Sequence, residues 1–455
     1  MRHATRIGLT GVFAASLAFF SVSGAAAQTL ADTLVQTYRN SGLIEQNRAV
    51  LRAADEDVAQ SVAALRPAIA WAGDVFYRDT QFGGDTTSTL GVTANMLLFD
   101  FGRSALGTEA AKETVLSTRQ ALLDVENTVF LNAVTAYLNV GRAEAFVDLN
   151  ENNVRLLGEQ LRATQDRFEV GEVTRTDVSL AEARLAAARS NLAAEQGGLV
   201  RAKELYKSVV GVYPGELSRP PIPPTPSDQS EARGIALQNN PAVRQVQHQV
   251  AATELLVQQA RLLRRPALTG SAFVGIDQDG TDNSNIGVTL SGPIYQGGAI
   301  PSQVRQVQAQ RDQVRAQLYT AGLLVEQEVG NAYANLAVAI ASIEAGQQEV
   351  RAAELALAGV QEELELGART TLDVLDQEQE LLDARTTLVI AQVDRILASY
   401  EILNSMGRLT AEYLGLNVPI YDPAAYYNAV KDAPQSAPSV QGQQLDRVLK
   451  SIGKQ

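Results

Sequence analysis

The chain contains no cysteine. Disulfides and thiolate chemistry are therefore excluded, and no cysteine stands near the N-terminus to carry a lipid. Histidine is nearly absent, with two in 455 residues. His3 falls in an N-terminal leader, which leaves His248 between Gln247 and Gln249 in a helix-like stretch. One histidine offers neither a metal site nor a convincing Ser-His-Asp set. The glycine-containing segment 292–298 has no phosphate-loop lysine. Paired Asp and Glu residues are plentiful, as in any charged helix, and do not indicate a glycosidase. These absences argue against an enzyme, and no cofactor or metal is expected.

Positive charge is also in short supply. The formal charge is −13, which opposes nucleic-acid binding, since that needs a basic footprint. Long apolar runs are missing too. After the leader no 18-residue apolar stretch occurs, so no helix spans a membrane. Were the chain integral to a membrane, a closed β-barrel would be the one architecture left. The leader itself has Arg2 and Arg6, an apolar core from Ile7 to Phe20, and Ala25-Ala26-Ala27 before Gln28. That core is about 14 residues, short for a span of roughly 20. The pattern reads as a cleaved secretory signal over 1–27 rather than an anchor.

Proline is missing from two long stretches, Pro67 to Pro214 and Pro301 to Pro419. Proline removes a helix hydrogen bond and clashes with the preceding turn. Proline-free runs rich in Ala, Leu, Gln, Glu and Arg therefore permit very long helices. Arg103 to Glu169 would span about 100 Å at the usual helical rise. Its mate, Thr174 to Val210, would return antiparallel. Ser302 to Leu366 and Thr371 to Leu414 form an equivalent pair. Leu180, Ala183, Ala187, Ser190 and Ala194 recur at spacings of three and four, a small-residue seam that implies close, supercoiled packing.

What is present in abundance is self-similarity. At an offset of about 196 residues, Gly91-Val92-Thr93 returns as Gly287-Val288-Thr289, and Ala136-Tyr137 as Ala332-Tyr333. Phe99 and Gly102 return as Tyr295 and Gly298. Glu169, Gly171, Thr174, Asp177, Val178, Glu182 and Arg189 return as Glu365, Gly367, Thr370, Asp373, Val374, Glu378 and Arg385. An ungapped register of this length reads as internal duplication. The divisions that follow are a first repeat over 28–213, a stiff proline-rich linker over 214–229, a second repeat over 230–416 and a partly disordered tail over 417–455. Each repeat reads helix, two strands, very long helix, short turn, long helix.

The strands are expected near 67–80, 88–99, 266–277 and 285–295. Leu90, Val92, Ala94, Met96 and Leu98 alternate with polar or small neighbours, as do Ile286, Val288 and Leu290. A period of two gives one apolar and one polar face, and about ten residues is the length of an outer-membrane strand. Trp71 and Tyr77 suit either a membrane interface or an ordinary sheet. Four strands cannot close a barrel, so chains must share one. Two chains would supply eight strands and three would supply twelve, the latter with room for a lumen. Without these strands, the bland alternative would be a structural coiled-coil envelope protein.

The joints carry the most specific pattern. They are Val170-Gly171-Glu172-Val173-Thr174-Arg175-Thr176-Asp177-Val178 and Leu366-Gly367-Ala368-Arg369-Thr370-Thr371-Leu372-Asp373-Val374-Leu375-Asp376. Gly171 and Gly367 suit left-handed helix ends. Thr174 with Asp177, and Thr370 with Asp373, suit capping boxes. Capping leaves Asp376 unexplained, one turn from Asp373 on the same helix face. With the strand-to-helix joints Leu98-Phe99-Asp100-Phe101-Gly102 and Pro293-Ile294-Tyr295-Gln296-Gly297-Gly298, these motifs resemble the TolC family of outer-membrane efflux and secretion channels, from about Thr29 to Tyr427. The segment from Asn417 to Pro423, with Tyr426 to Val430, is similar to the protein-secretion branch.

The resemblance implies a mixed α and β fold in which long antiparallel hairpins form an α-barrel. Above it, a homotrimer would share a transmembrane β-barrel in outer-membrane lipid. It implies a tunnel extending into the periplasm, a periplasmic adaptor (membrane fusion) protein, and an inner-membrane ABC transporter or other pump. It also implies a pore constriction at Asp373 and Asp376, with Arg369, Thr176 and Asp177 holding a closed tip. Leu364 departs from the family, which often has tyrosine there, so one closing bond is in doubt. Cargo is open between polypeptides in type I secretion and small molecules in multidrug efflux.

Overall fold

The computed structural model describes residues 27–81 and 83–433. The expected signal, but for Ala27, and the tail beyond 433 lie outside the described residues. Two short helices precede each strand pair, where the sequence reading has one. In the first half these are α1 (Leu30–Asn40) and α2 (Gly42–Ala63). Thr29 and Asp32 cap α1 reciprocally, and Ser41 ends α1 in extended backbone while capping α2. Strands β1 (Ala68–Thr80) and β2 (Gly83–Phe99) follow, then α3 (Arg103–Glu169) and α4 (Arg175–Val210). The order then recurs: α5 (Gln229–Asn239), α6 (Pro241–Arg261), β3 (Ala267–Asp277), β4 (Asp282–Ser291), α7 (Ala299–Glu365) and α8 (Thr371–Ser405). Both α3 and α7 are 67 residues long. A last helix, α9 (Pro423–Val430), lies against α2.

Four boundaries differ from the sequence reading, the first being α7, which begins at Ala299 rather than Ser302 because its first turn accommodates Pro301. β2 begins at Gly83 rather than near 88, because Thr86 and Thr87 pair with Tyr77 and Phe76 and β-branched residues fit the pleat. β4 runs from Asp282 to Ser291 rather than 285–295. Gly292 and Pro293 end it, proline having no N–H for the ladder. α8 stops at Ser405 rather than Leu414, because Gly407 turns left-handed at φ +69°. The Gly407 N–H then bonds Asn404 O, and the Arg408 N–H bonds Leu403 O, which satisfies the last carbonyls of the helix.

The two hairpins form one antiparallel sheet in the order β1-β2-β3-β4. Register places Trp71, Val92 and Val274 in one row, and Leu90 and Ile276 in the next. Gly270 with Val288 and Leu268 with Leu290 continue the apolar face across β4. This face is bare in the single chain: Trp71 is 81% exposed and Ile286 87%. The opposite face carries Thr93, Asn95, Ser271 and Thr289. Among the described residues no helix is long and apolar enough to cross a membrane.

The main core lies where α1, α3, α4 and the end of α8 converge, around Phe130, Tyr137, Tyr206, Ile402, Leu403 and Met406. Here the proline-rich linker is pinned by tyrosines. Tyr137 donates to Ser218 O and to Gln28 O, Tyr400 to Pro221 O at 3.2 Å, and Tyr333 to Pro226 O at 2.7 Å. The chain after α8 is anchored by α3, with Asn127 Oδ1 accepting from Leu409 N at 2.8 Å and Glu126 from Ala411 N at 2.6 Å. A second, small core of Leu157, Ala181, Leu185, Ala188 and Leu375 binds the hairpins together near their tips.

Candidate functional site at the helix joints

The two joints are built alike. α3 ends at Gly171 with φ +80°, and α7 at Gly367 with φ +75°. The Glu172 N–H bonds back to Arg167 O at 2.9 Å, and the Ala368 N–H to Glu363 O at 2.8 Å. Each chain direction then reverses within a few residues. Thr174 caps α4 and Thr370 caps α8. In both boxes the threonine N–H and hydroxyl donate to the Asp carboxylate at 2.8 Å, and the Asp N–H donates to the threonine hydroxyl at 3.3 Å. The Thr370 donors, aided by Arg369, hold the Asp373 carboxyl below the usual carboxylate range.

The joints come together. Arg167, Thr174 and Asp177 from one, and Leu364, Arg369 and Thr370 from the other, line a cleft of about 530 Å³. Within it, Arg369 Nε binds Glu363 at 2.9 Å in its own joint. Among the described residues no bond links Arg369 to Thr176 or Asp177. Thr176 is exposed on the first turn of α4, and Asp177 is engaged by its own cap. The structure does join Asp376 to a partner that sequence reasoning missed: Arg184 Nη2 on α4 lies 2.7 Å from Asp376 Oδ1.

A second group was also missed. Glu378, on the turn after Asp376, is 8% exposed and one of its oxygens is buried without a partner. Leu149, Asn152 and Asn153 of α3 and Leu357 of α7 surround it, with Leu381 and Arg385 of its own helix. Arg385 is committed to Glu354 at 2.7 Å. Burial pushes the Glu378 carboxyl up to about 7. Its counterpart in the first half, Glu182, is exposed. The repeat pattern marked both glutamates as equivalent, and nothing local to either distinguishes them. His248, the lone histidine of the described residues, bonds Glu113 at 2.8 Å through Nδ1.

The sequence pattern of the family described as outer membrane efflux protein matches residues 33–211 and again 233–408. The chain is 35% identical to outer membrane efflux protein BepC of Brucella suis biovar 1, over 90% of this chain and 91% of that protein. It is 27% identical to outer membrane protein TolC of Escherichia coli, over 91% and 90%. Among solved structures, the outer membrane protein VceC of Vibrio cholerae superposes with a TM-score of 0.73 at 19% identity, covering 83% of this chain and 96% of that one.

Proposed function

Because the chain belongs to the outer membrane efflux protein family, the TolC-type channels of the outer membrane, we propose that it is the exit duct of a tripartite export system. Three copies share one twelve-stranded barrel, and their paired helices form a tunnel into the periplasm. A periplasmic adaptor and an inner-membrane pump complete the path. The observation that carries this reading is the sheet. Its apolar face is continuous over four strands, yet bare, and both its edges are open. Open edges in lipid leave backbone groups unsatisfied at several kcal/mol each, so closure with further copies is the physical way out. The matching element order of the two halves supports their origin by duplication.

The tip is the gate in this reading. Asp373 and Asp376 form the constriction, two carboxylates from each of three protomers. Like charges about 6 Å apart repel by roughly 3 kcal/mol at an effective dielectric near 20, so such a throat favours cations. Gly171 and Gly367 fix the turns, while Arg369, Thr176 and Asp177 lie at the surfaces where neighbouring tips meet. The cargo reading is type I protein secretion, supported by the segment from Asn417 to Pro423 with Tyr426 to Val430 and by the absent lipidation cysteine. Small-molecule efflux is the second reading, favoured by the name of the relative that is 35% identical.

In detergent, the mature protein is expected to migrate as an unheated trimer that collapses to monomer on boiling. A mature chain that remains soluble without detergent would contradict the duct. In planar bilayers the wild type is expected to conduct weakly. Arg369→Ser is expected to raise conductance only modestly, since exposed ion pairs such as that with Glu363 are weakened by solvent screening. Unchanged conductance would remove Arg369 from the gate.

A further inference from the structure

Arg184 and Asp376 come from different hairpins, yet their side chains meet at 2.7 Å. Their backbones are held in place by apolar neighbours. Leu185, beside Arg184, and Ala181, a turn before it, pack with Leu375, which directly precedes Asp376. Leu375 is 2% exposed and Ala181 1%. The pair itself is solvent-exposed, but the buried residues flanking it fix it on the seam between α4 and α8. Nor is it repeated by the symmetry of the chain. At the offset of about 196 residues, Leu180 stands where Asp376 would recur and Glu380 where Arg184 would. The base is carried by the first hairpin and the acid by the second, and only their union makes the pair.

We propose that Arg184 is the specificity-determining residue of the throat: it neutralises Asp376 from within the same protomer and so sets how strongly the constriction prefers cations. This rests on the reading that Asp376 lines the pore. Asp373 is bound to the Thr370 cap, whose donors are neutral, and the nearby Arg369 is committed to Glu363 at 2.9 Å, so among the described residues no ion pair compensates Asp373. Asp376 faces a full positive charge at contact distance. The throat therefore presents one uncompensated carboxylate per protomer instead of two. Any movement that parts α4 from α8 uncovers the second, so ion preference strengthens as the hairpins separate.

The test uses the full-length trimer in planar bilayers at about 0.1 M salt, where screening acts over about 10 Å. The readouts are reversal potential in a KCl gradient and block by hexamminecobalt(III). Removing a positive charge next to the binding carboxylates is expected to tighten block by about tenfold in Arg184→Gln and to raise cation preference. Arg184→Lys, which keeps the charge, is expected to match the wild type and shows that the position tolerates change. Asp376→Asn is expected to weaken block, and the double variant is expected to equal Asp376→Asn, because Arg184 acts through that carboxylate. If Asp376→Asn leaves block and selectivity unchanged, Asp376 does not line the pore and both readings fall. If Asp376→Asn weakens block but Arg184→Gln does not tighten it, or the two effects add, Arg184 has no such role and the pore reading stands.

Discussion

Glu378→Gln is expected to stabilise the folded protein at pH 8 by about 2–3 kcal/mol and by well under half as much at pH 5. The side chain is enclosed by Leu149, Asn152 and Asn153 of α3 and Leu357 of α7. Its nearest basic residue there, Arg385, is already paired with Glu354. Burial raises the carboxyl from an ordinary 4.5 to about 7. A group whose folded pKa lies above its unfolded value favours the fold while protonated in both states. That contribution is intact below about pH 4.5 and is lost as pH rises through about 7. Above that, each folded chain holds a buried, ill-partnered charge, and a shift of this size costs on the order of 3 kcal/mol. Glutamine keeps the shape without the charge. Thermal unfolding of the detergent-solubilised protein at pH 5 and pH 8 checks it. Equal sensitivity of wild type and variant to pH would show that Glu378 is not held in this way.

Gly407→Ala is expected to cost about 3 kcal/mol or more. The residue sits at φ +69°, and a Cβ there would lie 2.6 Å from Pro241 Cδ and 2.9 Å from Asn240 Cα. Neither atom can swing aside. Asn240 caps α6 through Ala242 N and also donates to Ser405 O at 2.9 Å. A left-handed backbone costs an alanine about 1–2 kcal/mol by itself, and the clash adds to it. Gly298→Ala is the control. It has φ +89° but open space around its Cβ, so the backbone cost alone applies. Comparable heat resistance of the two variants would mean that the α6–α8 contact yields more easily than its geometry implies.

Much of the architecture was legible because its signals are local. A missing proline permits a helix whatever it packs against, and α3, α4, α8 and all of α7 beyond its first turn lie within the two proline-free runs. Gly171 and Gly367 mark their own turns, since few other residues tolerate positive φ. The Thr-to-Asp spacing of the capping boxes is likewise set by adjacent backbone. The errors arose where local evidence is ambiguous. Composition alone continued α8 to Leu414, although the close approach of Asn240 and Pro241 shapes the turn at Gly407. The short helices before each strand pair merged into one, because Ser41 and Asn240 are weak stops when read without their hydrogen bonds.

By itself, the sequence determined the great length of α3 and α7, strand alternation, the turns at Gly171 and Gly367 and the likeness of the two halves. These depend on backbone sterics and on periodicity, which neighbouring residues carry. The tertiary structure alone decided the β2–β3 pairing that merges two hairpins into one sheet, and the burial of Glu378 but not Glu182. It also decided the meeting of Arg184 with Asp376 across 192 residues. Such facts depend on which faces are pressed together. Two glutamates in equivalent motifs are identical as chain segments, and they diverge when α3 and α7 close over one and leave the other in water.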